Sequence, residues 1–211
     1  MQAMKSEASS ISLQGVEFWS TVCDCETELA IEAQEAAEQG RPPTHTSRYY
    51  ARGALPYLVP VLTELLTKQE EGDEDEWNPA KASSVCLSLL ASCCEDSLVT
   101  QLMPFINQNI ASADWRLRDA AVLAFGSLLD GPDPKLLKPI IEQALATLVQ
   151  LLGDTSTNVR DSAAWTIGRV CEAAPDLVIR DANTLVTLLN ALVGSLDSEP
   201  RVASNVCWVR L

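Results

Sequence analysis

Residues 118–126 read RDAAVLAFG and residues 160–168 read RDSAAWTIG, so one pattern of charged, small and apolar residues returns after 42 positions. A third copy, VASNVCW at residues 202–208, follows at an offset of 43 when Trp208 is aligned with Trp165. A period of about 40 residues is typical of proteins that stack helical units side by side.

Each unit contains two apolar stripes at helical spacing, and they are clearest between residues 134 and 174. The first stripe consists of Leu137, Ile141, Ala144, Leu148 and Leu151. The second, which Pro175 stops, consists of Val159, Ala163, Ile167 and Val170. This spacing predicts two amphipathic helices per unit, and no segment alternates convincingly with the period of two that a half-buried strand needs.

We therefore predict an all-α fold, an α-solenoid of HEAT- or armadillo-like helix pairs. Residues 1–211 are expected to form a single array of about five repeats with partial repeats at both ends, and hence to be a segment of a longer protein. An acidic loop at residues 69–78 falls inside one repeat. The predicted helices lie near residues 13–23, 26–39, 47–68, 79–94, 97–110, 115–129, 135–152, 158–173 and 182–195, with a last one from Pro200.

Composition and charge limit the classes of partner. Lys and Arg number 15 against 29 Asp and Glu, and the net charge of −14 disfavours nucleic acid and anionic membranes but attracts basic polypeptides. No apolar run is long enough to cross a bilayer, so no membrane insertion is expected. The seven cysteines are an odd number and lie mostly among apolar helix residues, which favours a reducing compartment.

A dense block of negative charge stands directly before Trp77. Its members are Glu70, Glu71, Asp73, Glu74, Asp75 and Glu76. Mutual repulsion should keep this block out of any helix and in contact with solvent. It is either a solubilising insertion or a partner-binding element that attracts cations at long range. Its position at a repeat junction, next to a tryptophan, favours partner binding.

Two tryptophans share one repeat position. Trp165 lies off the apolar stripe of its helix, because its neighbours one turn away are Asp161 and Arg169, and Trp208 shares its face with Asn205. A helical tryptophan more often belongs to the core. Repeated beside polar residues, however, such tryptophans would form a ladder on one surface of the array. Indole faces bind the stems and cations of Lys and Arg, so a ladder favours a basic peptide as the partner.

No catalytic, cofactor or metal site is expected from the residue pattern. The single histidine, His45, is distant from two cysteine pairs whose spacing matches zinc sites only loosely, Cys23 with Cys25 and Cys93 with Cys94. The chain also lacks a glycine-rich phosphate loop. Its acidic residues fall at predicted helix starts or in the acidic block, which does not suggest an active site.

Two charged residues near a turn are interpreted as structural. Asp154 stands in the turn between two predicted helices, and Arg160 lies near the start of the second. Such groups commonly cap helices or offset helix dipoles. We therefore expect Asp154 and Arg160 to link neighbouring repeats.

Six short sequence strings point to one protein family more specifically than the helical period does. They are GVEFWS at 15–20, EQGRPP at 38–43, WNP at 77–79, DWR at 114–116, AAWT at 163–166 and EPRVASNVCW at 199–208. Together they resemble importin-β, the karyopherin-β family of nuclear transport receptors. The resemblance covers essentially the whole chain, which would correspond to a central block of a receptor several times longer.

The resemblance implies a nuclear import receptor, found in the cytoplasm, the nucleus and at the nuclear pore. Such a receptor binds basic cargo or the importin-β-binding segment of importin-α on its inner surface, and releases it when Ran-GTP binds. The acidic block matches the family's loop that touches both Ran and cargo. The residues expected to bind the basic peptide are Trp77, Trp165, Trp208 and Asn205, together with Asp161 beside Trp165. The family's main nucleoporin pockets belong to earlier repeats, outside this chain.

Two other functions stay open from the residues alone. A HEAT-repeat scaffold of a phosphatase or a chromosome-associated complex would need neither the acidic block nor the tryptophan ladder. Failure to bind any Lys/Arg-rich peptide at low salt would therefore favour the scaffold. An enzyme with an unrecognised site is the third hypothesis, and it would require turnover that a single substitution abolishes.

Overall fold

A computed structural model describes residues 1–69 and 77–209, and within these ranges the chain is helical and contains no strand. The α-helices are α1 Ser9–Glu38, α2 Tyr50–Leu66, α3 Pro79–Cys94, α4 Asp96–Asn109, α5 Trp115–Ser127, α6 Pro134–Leu151, α7 Thr157–Ala173, α8 Pro175–Ile179, α9 Ala182–Ser195 and α10 Pro200–Trp208. Short 3-10 segments, Ala3–Lys5 and Leu128–Asp130, adjoin α1 and α5. The predicted all-α fold is confirmed.

The helices pair along the chain, and the pairs stack on one another. Helix α2 packs on α3, α4 on α5, α6 on α7 and α9 on α10, so each unit has a first and a second helix. The second helices also contact each other in the order α3, α5, α7 and α10, and α1 packs on α3 at the head of this row. The row brings residues at equivalent repeat positions onto neighbouring helices.

Polar caps explain where two of the second helices, α3 and α5, begin. Asn78 Oδ1 accepts a hydrogen bond from the backbone N of Lys81 at 3.0 Å, immediately before α3. Asp114 Oδ1 accepts one from the backbone N of Arg116 at 3.0 Å, immediately before α5. These side chains satisfy backbone N–H groups that the first turn of a helix leaves without partners.

The core follows the predicted stripes. On α6 and α7 the buried members are Leu137, Ile141, Leu148, Leu151, Val159, Ala163, Ile167 and Val170. Ala144 is only half-buried, and its neighbour Leu145 is buried instead. Burial of aliphatic side chains at about 25 cal/mol per Å² is the main force that holds one repeat against the next.

Helix α1 differs from the sequence-based expectation. The pattern predicts separate helices near residues 13–23 and 26–39, and this prediction is wrong, because a single helix of 30 residues spans both. No glycine or proline stands at the expected break, so nothing in the chain ends the first helix there. The chain turns at Gly40, whose φ of 66° lies in the left-handed region that glycine adopts readily.

The start of α2 depends on a carboxylate from α1. Glu26 is buried, and its Oε1 accepts hydrogen bonds from the backbone N of Tyr50 at 2.7 Å and from Ser47 Oγ at 2.9 Å. Its Oε2 accepts a third from the backbone N of Ala51 at 3.1 Å. Helix α2 therefore begins at Tyr50 and not near Ser47, with a side chain from another helix at its N-terminus.

A short helix is also missing from the prediction. Pro175 follows the end of α7, as expected, but it then begins α8, which ends at Ile179. Proline suits the first position of a helix because it has no N–H to satisfy there. The same residue thus separates two helices and starts the second of them.

Candidate partner-binding surface

The second helices share a common register. Their N-terminal cap positions are Asn78, Asp114, Ser156 and Glu199, before α3, α5, α7 and α10 respectively. Counting from these caps identifies which residues occupy the same place on successive helices. Since the helices pack side by side, equivalent residues form rows across them.

Trp165 lies on α7, half-buried, with one edge of its indole against Gly126 of α5. A Cβ added to Gly126 would lie 2.9 Å from Trp165 Cε3 and closer still to Cζ3, so only a glycine leaves room for the ring. The Thr166 hydroxyl donates to the backbone O of Val122 at 3.1 Å beside this contact. Trp165 is therefore neither a fully buried core residue nor a freely exposed one.

Trp208 occupies the equivalent position on α10, nine residues after its cap, as Trp165 is nine residues after Ser156. Its exposed fraction is 68%, so most of the indole faces solvent. A Cβ added to the corresponding glycine on α7, Gly168, would lie 3.8 Å from Val209 Cγ2, an ordinary contact distance. The two predicted ladder tryptophans thus share a register but differ in how deeply they are seated.

Trp77 lies outside this register, because it precedes the cap of α3. Its indole is 49% exposed, and its Nε1 donates to Glu17 Oε1 of α1 at 3.2 Å. Trp115, the first residue of α5, is half-buried and carries the Arg116 guanidinium 4.6 Å from its ring centroid. Trp77 and Trp115 therefore stand at the entries to α3 and α5.

Asp161 and Asn205 are brought together as a hydrogen-bonded pair, with Asn205 Nδ2 donating to Asp161 Oδ1 at 2.8 Å. One repeat earlier, the Ser162 hydroxyl donates to Asp119 Oδ1 at 2.6 Å. In both cases the acceptor is five residues after its cap and the donor six residues after the next one. The two predicted binding residues therefore belong to a polar row that also joins the repeats.

Asp119 belongs to the same polar row, although its sequence context alone does not mark it as a candidate site residue. Its side chain is fully buried, and burial raises its pKa to about 6, although the Ser162 hydrogen bond acts in the opposite direction. The charge of Asp161 also raises this pKa. The repeat alignment places Asp119 at the position of Asp161, which is the signal that could have identified it.

A ladder of ion pairs runs beside the row. Arg118 Nη2 lies 2.8 Å from Asp154 Oδ1 with both side chains largely buried, and Arg160 Nη2 lies 2.5 Å from Glu199 Oε2. Arg160 Nη1 also donates to the backbone O of Asp154 at 2.7 Å. The hydrogen bond from Arg160 lowers the pKa of Glu199 to about 2. The structural interpretation of Asp154 and Arg160 is confirmed.

The predicted acidic block, Glu70, Glu71, Asp73, Glu74, Asp75 and Glu76, lies outside the described residues. The residues on either side of it are described. The backbone O of Gln69 accepts a hydrogen bond from Arg116 Nε of α5 at 3.3 Å, and Trp77 binds Glu17 of α1. The two flanks therefore contact α5 and α1, the helices on either side of α3 in the row.

Within residues 1–69 and 77–209, no group of three or more histidine, cysteine or acidic side chains is placed to hold a metal ion. None of the helices described is long and apolar enough to cross a membrane.

Comparison with known proteins identifies close relatives. The model of the HEAT-like repeat matches residues 115–170, from α5 to α7. Importin subunit beta-1 of Schizosaccharomyces pombe is 38% identical over 98% of this chain, which spans about a quarter, 24%, of that relative. The solved Kap95:Nup1 complex is 34% identical, with a TM-score of 0.90 over 99% of this chain and 24% of that one. A structure in which Kap95p binding induces the switch loops of RanGDP to adopt the GTP-bound conformation has the same identity, TM-score and coverage.

Proposed function

Since the chain belongs to the importin-β family, we propose that its row of second helices binds an extended Lys- and Arg-rich segment. That segment is either basic cargo or the importin-β-binding segment of importin-α. The observation that carries the proposal is the pair of tryptophans at one repeat position, Trp165 and Trp208, beside the Asp161–Asn205 hydrogen bond. Such a surface offers ring faces and polar acceptors together, which suits long cationic side chains.

In this proposal, long-range charge attraction and direct ring contact have different roles. The net charge of −14, of which the acidic block at residues 70–76 supplies a large part, attracts a basic chain over distances of about a Debye length, roughly 10 Å. The indoles act only on contact, where each cation-π interaction contributes about 0.5–2 kcal/mol. Attraction sets the association rate, and ring contacts set the dissociation rate.

The three tryptophans have different parts in the complex we propose. Trp208 has the most open ring and can stack on a Lys or Arg stem directly. Trp165 presents the part of its ring that Gly126 does not cover. Trp77, beside the acidic block, binds where that block first meets the peptide.

We further propose that this segment works inside a receptor that carries cargo between cytoplasm and nucleus, with release controlled by Ran-GTP. Support comes from the relatives, since one solved structure is a complex of Kap95 with Nup1 and another contains RanGDP with Kap95p. The acidic block is our proposed contact for Ran as well as cargo. Contacts with nucleoporins are assigned to repeats outside this chain.

The test measures binding of an importin-α peptide that contains the importin-β-binding segment to the 211-residue chain at several salt concentrations. Trp208→Ala should raise the dissociation rate and weaken binding by about 1–3 kcal/mol, with little change in salt dependence. Replacing the six acids of residues 70–76 by Gln or Asn should instead slow association and flatten the salt dependence.

Tyr57→Ala is the matched control, because Tyr57 is 69% exposed but lies on α2, a first helix away from the proposed surface. It should bind the peptide like the unchanged chain. Equal weakening by Tyr57→Ala and Trp208→Ala would refute the proposed surface. Failure of the unchanged chain to bind the peptide even at low salt would favour a scaffold function.

A further inference from the structure

The first turn of α5 holds a cation over an aromatic ring. Trp115 is the first residue of α5, and its half-buried indole packs in part against the core. The Arg116 guanidinium carbon lies over this ring, 4.6 Å from its centroid. The distance is that of a cation-π interaction, so the chain's own arginine covers one face of the indole.

The ring lies on the face of α5 that carries the polar row. Trp115 is four residues before Asp119, and residues four apart lie one above the other on a helix. On α7 the order is reversed, because Trp165 is four residues after Asp161. Each indole therefore shares a helix face with the acidic residue of its row, and α5 and α7 pack against each other.

Arg116 is held loosely. Its side chain is exposed, and its Nε donates to the backbone O of Gln69 at 3.3 Å, a long hydrogen bond. Within the part of the chain that the structure describes, no carboxylate forms an ion pair with it. Arg118, by contrast, is largely buried and donates to both carboxylate oxygens of Asp154, at 2.9 and 2.8 Å. Arg118 is therefore fixed, whereas another cation can displace Arg116.

The helix itself does not favour a cation at this position. Arg116 is the second residue of α5, where the positive end of the helix dipole disfavours a basic side chain. The groups that favour the guanidinium there are the Trp115 indole and the Gln69 carbonyl. Arg116 thus uses the ring chemistry that the proposed surface offers to the basic side chains of a partner.

We propose that Trp115 is a further binding site for a Lys or Arg side chain of the basic segment, occupied in the unbound chain by Arg116. A segment held by the other indoles brings its own cations close to Trp115 at a high local concentration, and one of them replaces Arg116 over the ring. The exchange lowers the affinity, because one cation must leave before another binds. This inference rests on the proposed function, since it adds one contact to the same surface.

The test compares four proteins in their binding of the importin-α peptide that contains the importin-β-binding segment. They are the unchanged chain, Arg116→Ala, Trp115→Leu and the double variant. Leucine keeps an apolar side chain against the core and removes the ring face. Arg116→Ala should lower the Kd by about three- to tenfold, because it opens the ring and removes a repelling charge. Trp115→Leu alone should change the Kd by less than about twofold, and the double variant should lose most of the gain.

Arg52→Ala is the matched control for charge. Arg52 lies over the Tyr49 ring, 5.4 Å from its centroid, but it belongs to α2, a first helix away from the proposed surface. Its removal changes the net charge by the same amount and should change the Kd by less than about twofold. Circular dichroism checks that each variant keeps the helical content and thermal stability needed for the comparison.

A second measurement does not depend on the importin-α peptide. The NMR signal of the Trp115 indole N–H is identified by its absence in Trp115→Leu. On addition of tetra-arginine it should move at least about twice as far in Arg116→Ala as in the unchanged chain. If none of the proteins binds the importin-α peptide, the proposed function fails, and this signal still decides whether the ring binds a cation.

Three results would overturn the inference. Equal gains in Arg116→Ala and the double variant would show that the ring has no part in the gain. Equal gains in Arg116→Ala and Arg52→Ala would assign the effect to net charge. Unchanged or weaker peptide binding by Arg116→Ala would show that Arg116 does not compete with the partner. If Trp208→Ala still weakened binding in any of these cases, the proposed function would stand without this further site.

Discussion

Replacing Gly126 by alanine tests how Trp165 is held on the second-helix row. The added Cβ would lie 2.9 Å from Trp165 Cε3, closer still to Cζ3, and 2.7 Å from Thr166 Oγ1. Gly168, the equivalent residue one repeat later, is the matched control, because among residues 1–69 and 77–209 its Cβ would meet only Val209 Cγ2, at 3.8 Å. The same substitution thus enters a closed site on α5 and an open site on α7.

Two effects of opposite sign determine the result. Alanine is favoured over glycine inside a helix by about 0.5–1 kcal/mol, and this gain applies at both sites. At Gly126 the indole must retreat by about 1 Å to regain an ordinary carbon–carbon contact. Overpacking of this kind costs about 1–3 kcal/mol. We therefore expect Gly126→Ala to destabilise the fold by about 1–2 kcal/mol and Gly168→Ala to stabilise it by about 0.5–1 kcal/mol.

Thermal unfolding followed by circular dichroism measures both changes. At about 3 °C per kcal/mol for a chain of this size, Tm should fall by about 3–6 °C for Gly126→Ala and rise by about 2–3 °C for Gly168→Ala. Tryptophan fluorescence should change mainly in the first variant, since its Cβ displaces an indole. Shifts of the same sign and size at both sites would refute the packing that we assign to Trp165.

Two further changes test the buried polar groups. Asp119→Asn should flatten the fall in stability between about pH 4 and 6 and stabilise the fold by about 1–3 kcal/mol at pH 7. The folded-state pKa of Asp119, about 6, exceeds the unfolded value near 3.9, so the ionised form destabilises the fold above pH 6. Urea unfolding at several pH values measures the free energy of unfolding in both proteins. The same slope of that free energy against pH in the variant and the unchanged chain would contradict the prediction. Asp154→Ala should lower the free energy of unfolding by about 2–4 kcal/mol, because it leaves the largely buried Arg118 without its carboxylate. Glu142→Ala breaks an exposed ion pair and should lower it by less than about 1 kcal/mol in the same urea assay. Equal losses in the two variants would show that burial of the ion pair has little effect.

The repeat period and the apolar stripes were sufficient to predict the stacked helices, because each stripe is a local property of about fifteen residues. The buried set on α7, which includes Val159 and Ile167, follows directly from that spacing. Helix starts were also predictable where a cap is local, as at Asn78 and Asp114. These features need no knowledge of distant parts of the chain.

The features that the sequence pattern missed depend on distant residues. Glu26 reads as an ordinary acidic residue at a helix start, yet it caps α2 from inside α1. Asp119 and Asp161 occupy one repeat position, but Asp119 is fully buried where α5 meets groups of later repeats such as Ser162. Such burial depends on how closely successive helices approach, which periodicity within one helix does not determine.

The position of Trp165 changes how its two interpretations can be separated. The core interpretation predicts that removing Trp165 lowers stability, and the contact interpretation predicts that it lowers peptide affinity. This indole rests on Gly126 with one edge and leaves the remainder half-exposed. Removing it should therefore lower both stability and peptide affinity, and the two losses cannot be assigned to separate causes from that variant alone. Trp208 shares the register without the close glycine contact and is 68% exposed, so Trp208→Ala should cost less stability than removal of Trp165 and is the clearer test of binding. Gly126→Ala keeps the indole and moves it, so a loss of affinity in that variant measures how much the position of the ring contributes.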